Sequence, residues 1–243
     1  MGKVHEAGWE CLSESTRLLP KIYPEFDYVI CYNSLDHKEV EQLKSFGIDL
    51  HEQSIDQLSL PHKTSNSGVK DHFWKLCPIR LRPETHEIWI DNDIVIRERI
   101  PEVDDFLNKE TTIISQAWGR EKYGRFDTIV PKTEPWTCCA GFFGIPPHFD
   151  FQAKALELCD GYPLQGFDEQ GLVASIVTST ENWIPIQSWN LRQEGWWEPV
   201  HELTRATHFI RLNTGTNSAW EKHKILTHPE PKISNPKMWK YRK

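Results

Sequence analysis

Residues Glu87–Ile96 read EIWIDNDIVI, two apolar runs rich in isoleucine with the acidic triplet Asp91-Asn92-Asp93 set between them. Such runs read as strand, buried on both faces. Charged side chains flanked by apolar sequence on both sides are costly against a core unless they are paired or bound to a metal. If the backbone bends at the triplet, two carboxylates one residue apart reach a single ion. Hard dications prefer oxygen ligands, usually one or two carboxylates with water and phosphate oxygens. In open α/β sheets, strand ends of this kind line the ligand crevice. An ion held there suits an enzyme that expels a nucleoside diphosphate, because it neutralises charge on the leaving group. The plain alternative is a polar turn after a strand.

Upstream, helical and strand-like segments alternate. Glu10 to Leu19 reads as a helix stopping at Pro20, and Asp27 to Tyr32 as a short buried strand. Asp36 is an expected N-cap for a helix from His37 to Phe46, which Gly47 ends. Ile48 to His51 reads as a strand, and a helix from Val69 to Leu76 precedes Pro78. Downstream, Thr112 to Gln116 and Ala140 to Gly144 read as strands, and Phe151 to Cys159 and Glu169 to Val177 as helices. The tryptophan-rich stretch Trp183 to Trp197 has no clean period. The alternation implies an α/β fold with a mixed, mainly parallel sheet flanked by helices. A single domain over residues 1–231 is expected, with 232–243 as a basic tail.

Composition narrows the class. Charged residues make up 26% of 243 and hydrophobic ones 38%, a balance that predicts a folded globular chain. No apolar run reaches the length needed to span a bilayer, and the first residues lack the hydrophobic stretch of a secretory signal. The expectation is a cytoplasmic protein, or one held only peripherally at a membrane. The six cysteines form no Cys-x-x-Cys pair, which argues against a zinc knuckle or redox motif. The net charge of −7 argues against nucleic acid as a partner over the whole surface. A nucleic-acid acceptor is left only the tail KISNPKMWKYRK and the cluster Arg120, Lys122 and Arg125.

Four further segments carry a resemblance. FWKLCPIRL (Phe73–Leu81) brings Lys75 and Arg80 before the acidic strand. CAGFFGIPP (Cys139–Pro147) is a glycine-containing strand, FDEQG (Phe167–Gly171) opens a helix with acids, and ATHFIRLNTGTNSAW (Ala206–Trp220) holds a late histidine. With Asp-x-Asp closing a central strand, this ordered set resembles the nucleotide-diphospho-sugar transferases of the GT-A fold. The resemblance implies a glycosyltransferase that moves a hexose from a nucleotide sugar, a UDP-sugar first of all, to the hydroxyl of a carbohydrate or other acceptor. It implies Mn²⁺ or Mg²⁺ held by Asp91 and Asp93 with His208 as a third ligand. Asp91 and Asn92 would contact the donor, Lys75 and Arg211 would face phosphate, and Gly141 would line the donor sugar. Asp168 and Glu169 would act at the reacting sugar, as base in an inverting transfer or as stabilising charge in a retaining one. Imidazole at the metal favours Mn²⁺.

The sequence departs from the pattern twice. Cys139 stands where many members have asparagine or serine, and no strand precedes the first helix. Either the chain is shortened at its N-terminus, or Tyr32 and Asn33 after the next strand recognise the base. Each acidic or basic residue also has a structural alternative: helix capping for Asp168 and Glu169, a core histidine for His208, a surface lysine for Lys75. Two other functions compete. A haloacid-dehalogenase-type phosphatase shares the strand ending in Asp-x-Asp, here with Val95 following. A non-catalytic carbohydrate-binding protein would keep the fold without turnover, its tryptophans Trp183, Trp189, Trp196 and Trp197 offering faces to sugar rings.

Overall fold

The structure, a computed structural model, describes residues 6–33, 35–54, 60, 73–76, 80–118, 122–131, 136–165, 168–194, 204–210, 212 and 218–227. The chain opens with helix α1 (Glu6–Ile22), which runs through Pro20 where the sequence predicts a stop. Proline removes one amide donor, but Tyr23 donates to the Leu19 carbonyl at 2.9 Å and closes the turn beyond it. Strand β1 (Val29–Tyr32) and helix α2 (His37–Lys44) follow. Asp36 caps α2 as expected: its Oδ1 accepts from the Glu39 amide and Glu39 Oε2 accepts from the Asp36 amide, both at 2.9 Å. Gly47, at φ +68°, takes the left-handed turn that leads into β2 (Asp49–Glu52), which pairs parallel with β1. Of the expected helix Val69 to Leu76, the described part is a 3₁₀ turn, Phe73–Leu76; residues 69–72 lie outside the described residues.

The stretch EIWIDNDIVI is not one strand. It is β3 (Glu87–Ile90) and β4 (Ile94–Ile96), which belong to different sheets. At the triplet the backbone changes neighbours. The Asp91 amide still donates to the Gly141 carbonyl at 2.8 Å, extending the pairing of β3 with β6 (Trp136–Ile145). The Ile94 amide turns back to the Asp91 carbonyl at 3.1 Å. The Phe209 amide then donates to the Asp93 carbonyl at 2.8 Å, where β9 (Ala206–Phe209) begins to pair with β4.

Helix α3 (Pro101–Leu107) and strand β5 (Ile113–Trp118) come next, then β6, α4 (Phe151–Cys159), α5 (Asp168–Thr178), β7 (Ile184–Ile186), β8 (Leu191–Glu194), β9 and α6 (Ser218–Thr227). The larger sheet has the order β3-β6-β5-β7 and the smaller β4-β9-β8. The mixed α/β class holds, with the described pairings divided three parallel and three antiparallel. The unplaced tryptophan-rich stretch contains β7 and β8, too short at three and four residues to show a period. Helix α5, buried along nearly its whole length, joins the core of the larger sheet through Leu172, Val173, Ile176 and Val177. On the smaller sheet, α1 crosses β4, and the buried Ser15 hydroxyl donates to the Ile94 carbonyl at 2.5 Å.

Arg80, which shares a short segment with Lys75, is built into the fold. Its guanidinium pairs with Glu87 at the start of β3 and donates to the carbonyls of Pro146 at 3.0 Å, Phe149 at 3.2 Å and Thr85 at 2.8 Å. It thus staples the start of β3 to the loop after β6. Removing one partner of a buried pair strands the other charge, at a cost of roughly 3–5 kcal/mol. Arg80→Ala is therefore expected to lower the melting temperature by on the order of 10 °C, read by circular dichroism. Arg80→Lys should recover little of the loss, because an ammonium does not reproduce the planar fork.

Candidate metal centre

Two carboxylates and an imidazole meet where the sheets join. One ligand atom each from Asp91, Asp93 and His208 lies within 4.8 Å of the other two. The two acids come from the turn between β3 and β4. His208 comes from β9, directly across from Ile94. On a dication with bonds of about 2.1 Å, adjacent ligands sit about 3 Å apart and opposite ones about 4.2 Å, so a cluster of this span is compatible with one shared ion. Asn92 lies between the two acids in the turn.

Gly141 makes room for this arrangement. A Cβ built there would lie 2.5 Å from His208 Cε1, 3.0 Å from His208 Nδ1 and 3.2 Å from Asp91 Oδ2. The glycine of β6 is thus needed for the space behind the ligands.

Charge is distributed unevenly around the cluster. Lys75, from the 3₁₀ turn, places Nζ 2.9 Å from Asp91 Oδ1 and 3.0 Å from Oδ2, and donates to the Ala140 carbonyl at 3.1 Å. The same ammonium lies 3.6 Å from Glu169 Oε1, at the start of α5. Burial disfavours the charged form of Lys75, but Asp91 and Glu169 outweigh it and hold its pKa above the ordinary lysine value. His208 behaves alike. Burial opposes its charge, yet Asp93, whose Oδ1 is 3.1 Å from Nε2, raises its pKa well above the usual imidazole range. Lys75 thus stands between Asp91 and Glu169, and protonated His208 beside Asp93. A ligating imidazole gives up its extra proton, which leaves three carboxylates against one ammonium, two negative charges in excess that a divalent cation would balance. The donor set of two carboxylates and one imidazole fits Mn²⁺ or Mg²⁺.

The two acids that open α5 face different ways. The Asp168 carboxylate accepts from the backbone amides of Gln165 at 3.0 Å and Arg125 at 2.9 Å, and lies 3.9 Å from Arg125 Nε. It packs so closely on Gly124 that a Cβ there would strike its Oδ1. Glu169 turns toward Lys75. Tyr32 and Asn33 stand at the end of β1, in the two-stranded sheet. There Tyr32 packs near Ile30 and Leu50, its carbonyl accepts from the Gln53 amide at 2.6 Å, and Asn33 is buried. Among the described residues, neither Tyr32 nor Asn33 is hydrogen-bonded to Asp91, Asp93 or His208. Arg211, the tail 232–243, Arg120, Trp196 and Trp197 lie outside the described residues. Of the remaining tryptophans singled out, Trp183 packs on the core and Trp189 is exposed.

One neighbour of the site had no signal in sequence spacing. Cys139 Sγ lies 3.8 Å from His208 Nδ1 and accepts from the Gly141 amide at 3.4 Å. The two residues are separated by 69 positions. The resemblance marks Cys139 only as a departure from the asparagine or serine of many members, and alternation along β6, which puts Cys139 and Gly141 on one face, points to the side it occupies.

No protein-family model matches the chain, and no curated protein matches its sequence. Twenty-two chains of solved structures match it in three dimensions. The galactosyltransferase LgtC, in complex with donor and acceptor sugar analogs, aligns over 90% of this chain and 91% of its own, at TM-score 0.56 and 12% identity. Mouse xyloside xylosyltransferase 1, in its apo form, aligns over 87% and 96%, at TM-score 0.54 and 16% identity. The chain therefore has the GT-A fold.

Gly141→Ala is expected to force His208 or Asp91 aside and to cost about 1–3 kcal/mol, the usual penalty for overpacking. Urea unfolding would show it as a lower midpoint at unchanged slope.

Proposed function

We propose that this chain, built on the fold of two sugar transferases, is a metal-dependent glycosyltransferase that uses a nucleotide diphosphate sugar. The donor is a UDP-sugar in the first instance, and the acceptor is a hydroxyl, on a carbohydrate rather than a nucleic acid. The observation that supports this best is the meeting of Asp91, Asp93 and His208 at one point of a GT-A fold, with Lys75 bridging Asp91 and Glu169. Mn²⁺ or Mg²⁺ held by those three residues would stabilise the charge that builds on the departing diphosphate.

The chain's own residues divide the remaining work. Lys75 fixes the Asp91 carboxylate and lies 3.6 Å from Glu169, and a donor oxygen would meet its ammonium there. Glu169 acts at the reacting sugar, and Asp168 sets the first turn of α5 from which Glu169 projects. Gly141 leaves open the space that the ligands and the donor share. Tyr32 and Asn33 at the end of β1 are assigned to the base, and Arg211 to phosphate. Residues 1–231 form the single catalytic domain and 232–243 the basic tail. Among the described residues, no helix is long and apolar enough to cross a membrane, which fits a cytoplasmic or membrane-peripheral site of action. A haloacid-dehalogenase-type phosphatase would require a different fold.

The test is a thermal-shift panel of UDP, GDP and their sugars, with and without Mn²⁺, on wild type and Asp93→Asn. At a hundred times its dissociation constant a ligand stabilises by about 2.7 kcal/mol, a rise on the order of 5–10 °C for a chain of this size. The expected result is a metal-dependent rise with one nucleotide family that Asp93→Asn abolishes. A flat panel, with glycans still binding, would replace this reading with a non-catalytic carbohydrate-binding one. Glu169→Gln is expected to keep the donor-dependent shift while lowering sugar transfer at least 100-fold, measured as nucleotide released.

A further inference from the structure

We propose that Cys139 is a positioning residue, holding the His208 ring so that Nε2, and not Nδ1, faces Asp91 and Asp93. The proposal rests on the metal-site reading above. Both side chains are buried, Cys139 at 4% and His208 at 6% exposure. The two ring nitrogens have distinct neighbours: Nε2 lies 3.1 Å from Asp93 Oδ1, and Nδ1 lies 3.8 Å from the Cys139 sulfur.

A histidine that ligates a metal through one nitrogen keeps its proton on the other, and that N–H needs an acceptor. The acceptor is commonly a carboxylate, a carbonyl or a water. Here it is a thiol sulfur. That sulfur already accepts the Gly141 amide at 3.4 Å, so it presents lone pairs rather than its proton on this side. Gly141 completes the fixture, since its missing Cβ is what allows Cε1 of the ring to lie against the backbone of β6. Sulfur at Nδ1 and glycine at Cε1 together define the ring plane. Sulfur is a weaker acceptor than a carboxylate, so it leaves the imidazole a weaker ligand and the bound ion more readily exchanged.

Cys138 supplies an internal control. It follows the same strand but joins the core on the other face, near Tyr123. The test titrates the full chain with Mn²⁺ alone, following the free-ion paramagnetic resonance signal. The variants are Cys139→Ala, Cys139→Ser, Cys138→Ala, His208→Ala and Asp93→Asn. Cys139→Ala is expected to weaken Mn²⁺ binding about tenfold. Cys139→Ser, whose hydroxyl oxygen accepts the same bonds, recovers most of that loss. Cys138→Ala lowers the melting temperature without changing the affinity. Wild-type affinity in Cys139→Ala overturns the proposal, and so does equal weakening in Cys138→Ala, which would mark a packing effect. Binding lost in Asp93→Asn but unchanged in His208→Ala also overturns it while leaving the metal centre standing. Absence of saturable Mn²⁺ binding in the wild type overturns the metal reading itself.

Discussion

Like charges crowded into a half-buried volume repel, and much of this structure answers that repulsion. Two unit charges 4 Å apart interact by about 4 kcal/mol at the effective dielectric of a protein surface, enough to swing the acids apart unless something positive stands among them. Lys75 does so for Asp91 and Glu169, which come from a turn and a helix start far apart in the chain. His208 does so for Asp93. Neither cation is left to find its partner freely. The Lys75 ammonium is also held by the Ala140 carbonyl, and the His208 ring is confined by β6. The acids in turn are fixed through their backbone, Asp91 to Gly141 and Asp93 to Phe209. The strand β6 therefore serves the site from behind, with successive residues giving a sulfur, a carbonyl and an absent side chain.

Parts of this were legible in the sequence for definite physical reasons. The acidic triplet stands out because apolar residues on both sides leave the carboxylates nowhere cheap to go. The capping box at Asp36 and Glu39 is a local device and can be read locally. Helix α4 falls at its expected limits because Asp150 caps one end, accepting from the Ala153 amide, and Asp160 turns left-handed at the other. What could not be read depends on residues that meet only after folding. Nothing in EIWIDNDIVI says that its two halves pair with different partners, since either half is an acceptable strand and the choice is made by β6 and β9. Pro20 predicts an end to α1 by propensity, and the tertiary packing of that helix over β4 carries it one turn further.

The adjacent acids Asp168 and Glu169 teach the same lesson at the scale of one peptide bond. Both favour a helix start for reasons of capping and dipole, so the sequence treats them alike. The structure separates them by about one-third of a helical turn. One closes the loop from Gln165 and Arg125, and the other faces the lysine. Lys75 and Arg80 likewise share a short segment and part ways, because Arg80 meets Glu87 and a set of carbonyls that only a guanidinium satisfies.

The break between β3 and β4 has a mechanical side. Asp91 hangs from the larger sheet and His208 from the smaller, with Asp93 at the joint. The two sheets already share a hydrophobic core, in which Ile94, Leu191 and Ala206 of the smaller meet Ile113, Phe142 and Ile186 of the larger, and an ion gripped by all three ligands would act as a polar rivet at the edge of that core. Loss of the ion would then loosen the joint locally, around the turn that carries Asp91 and Asp93, while the shared core keeps the two sheets one cooperative unit.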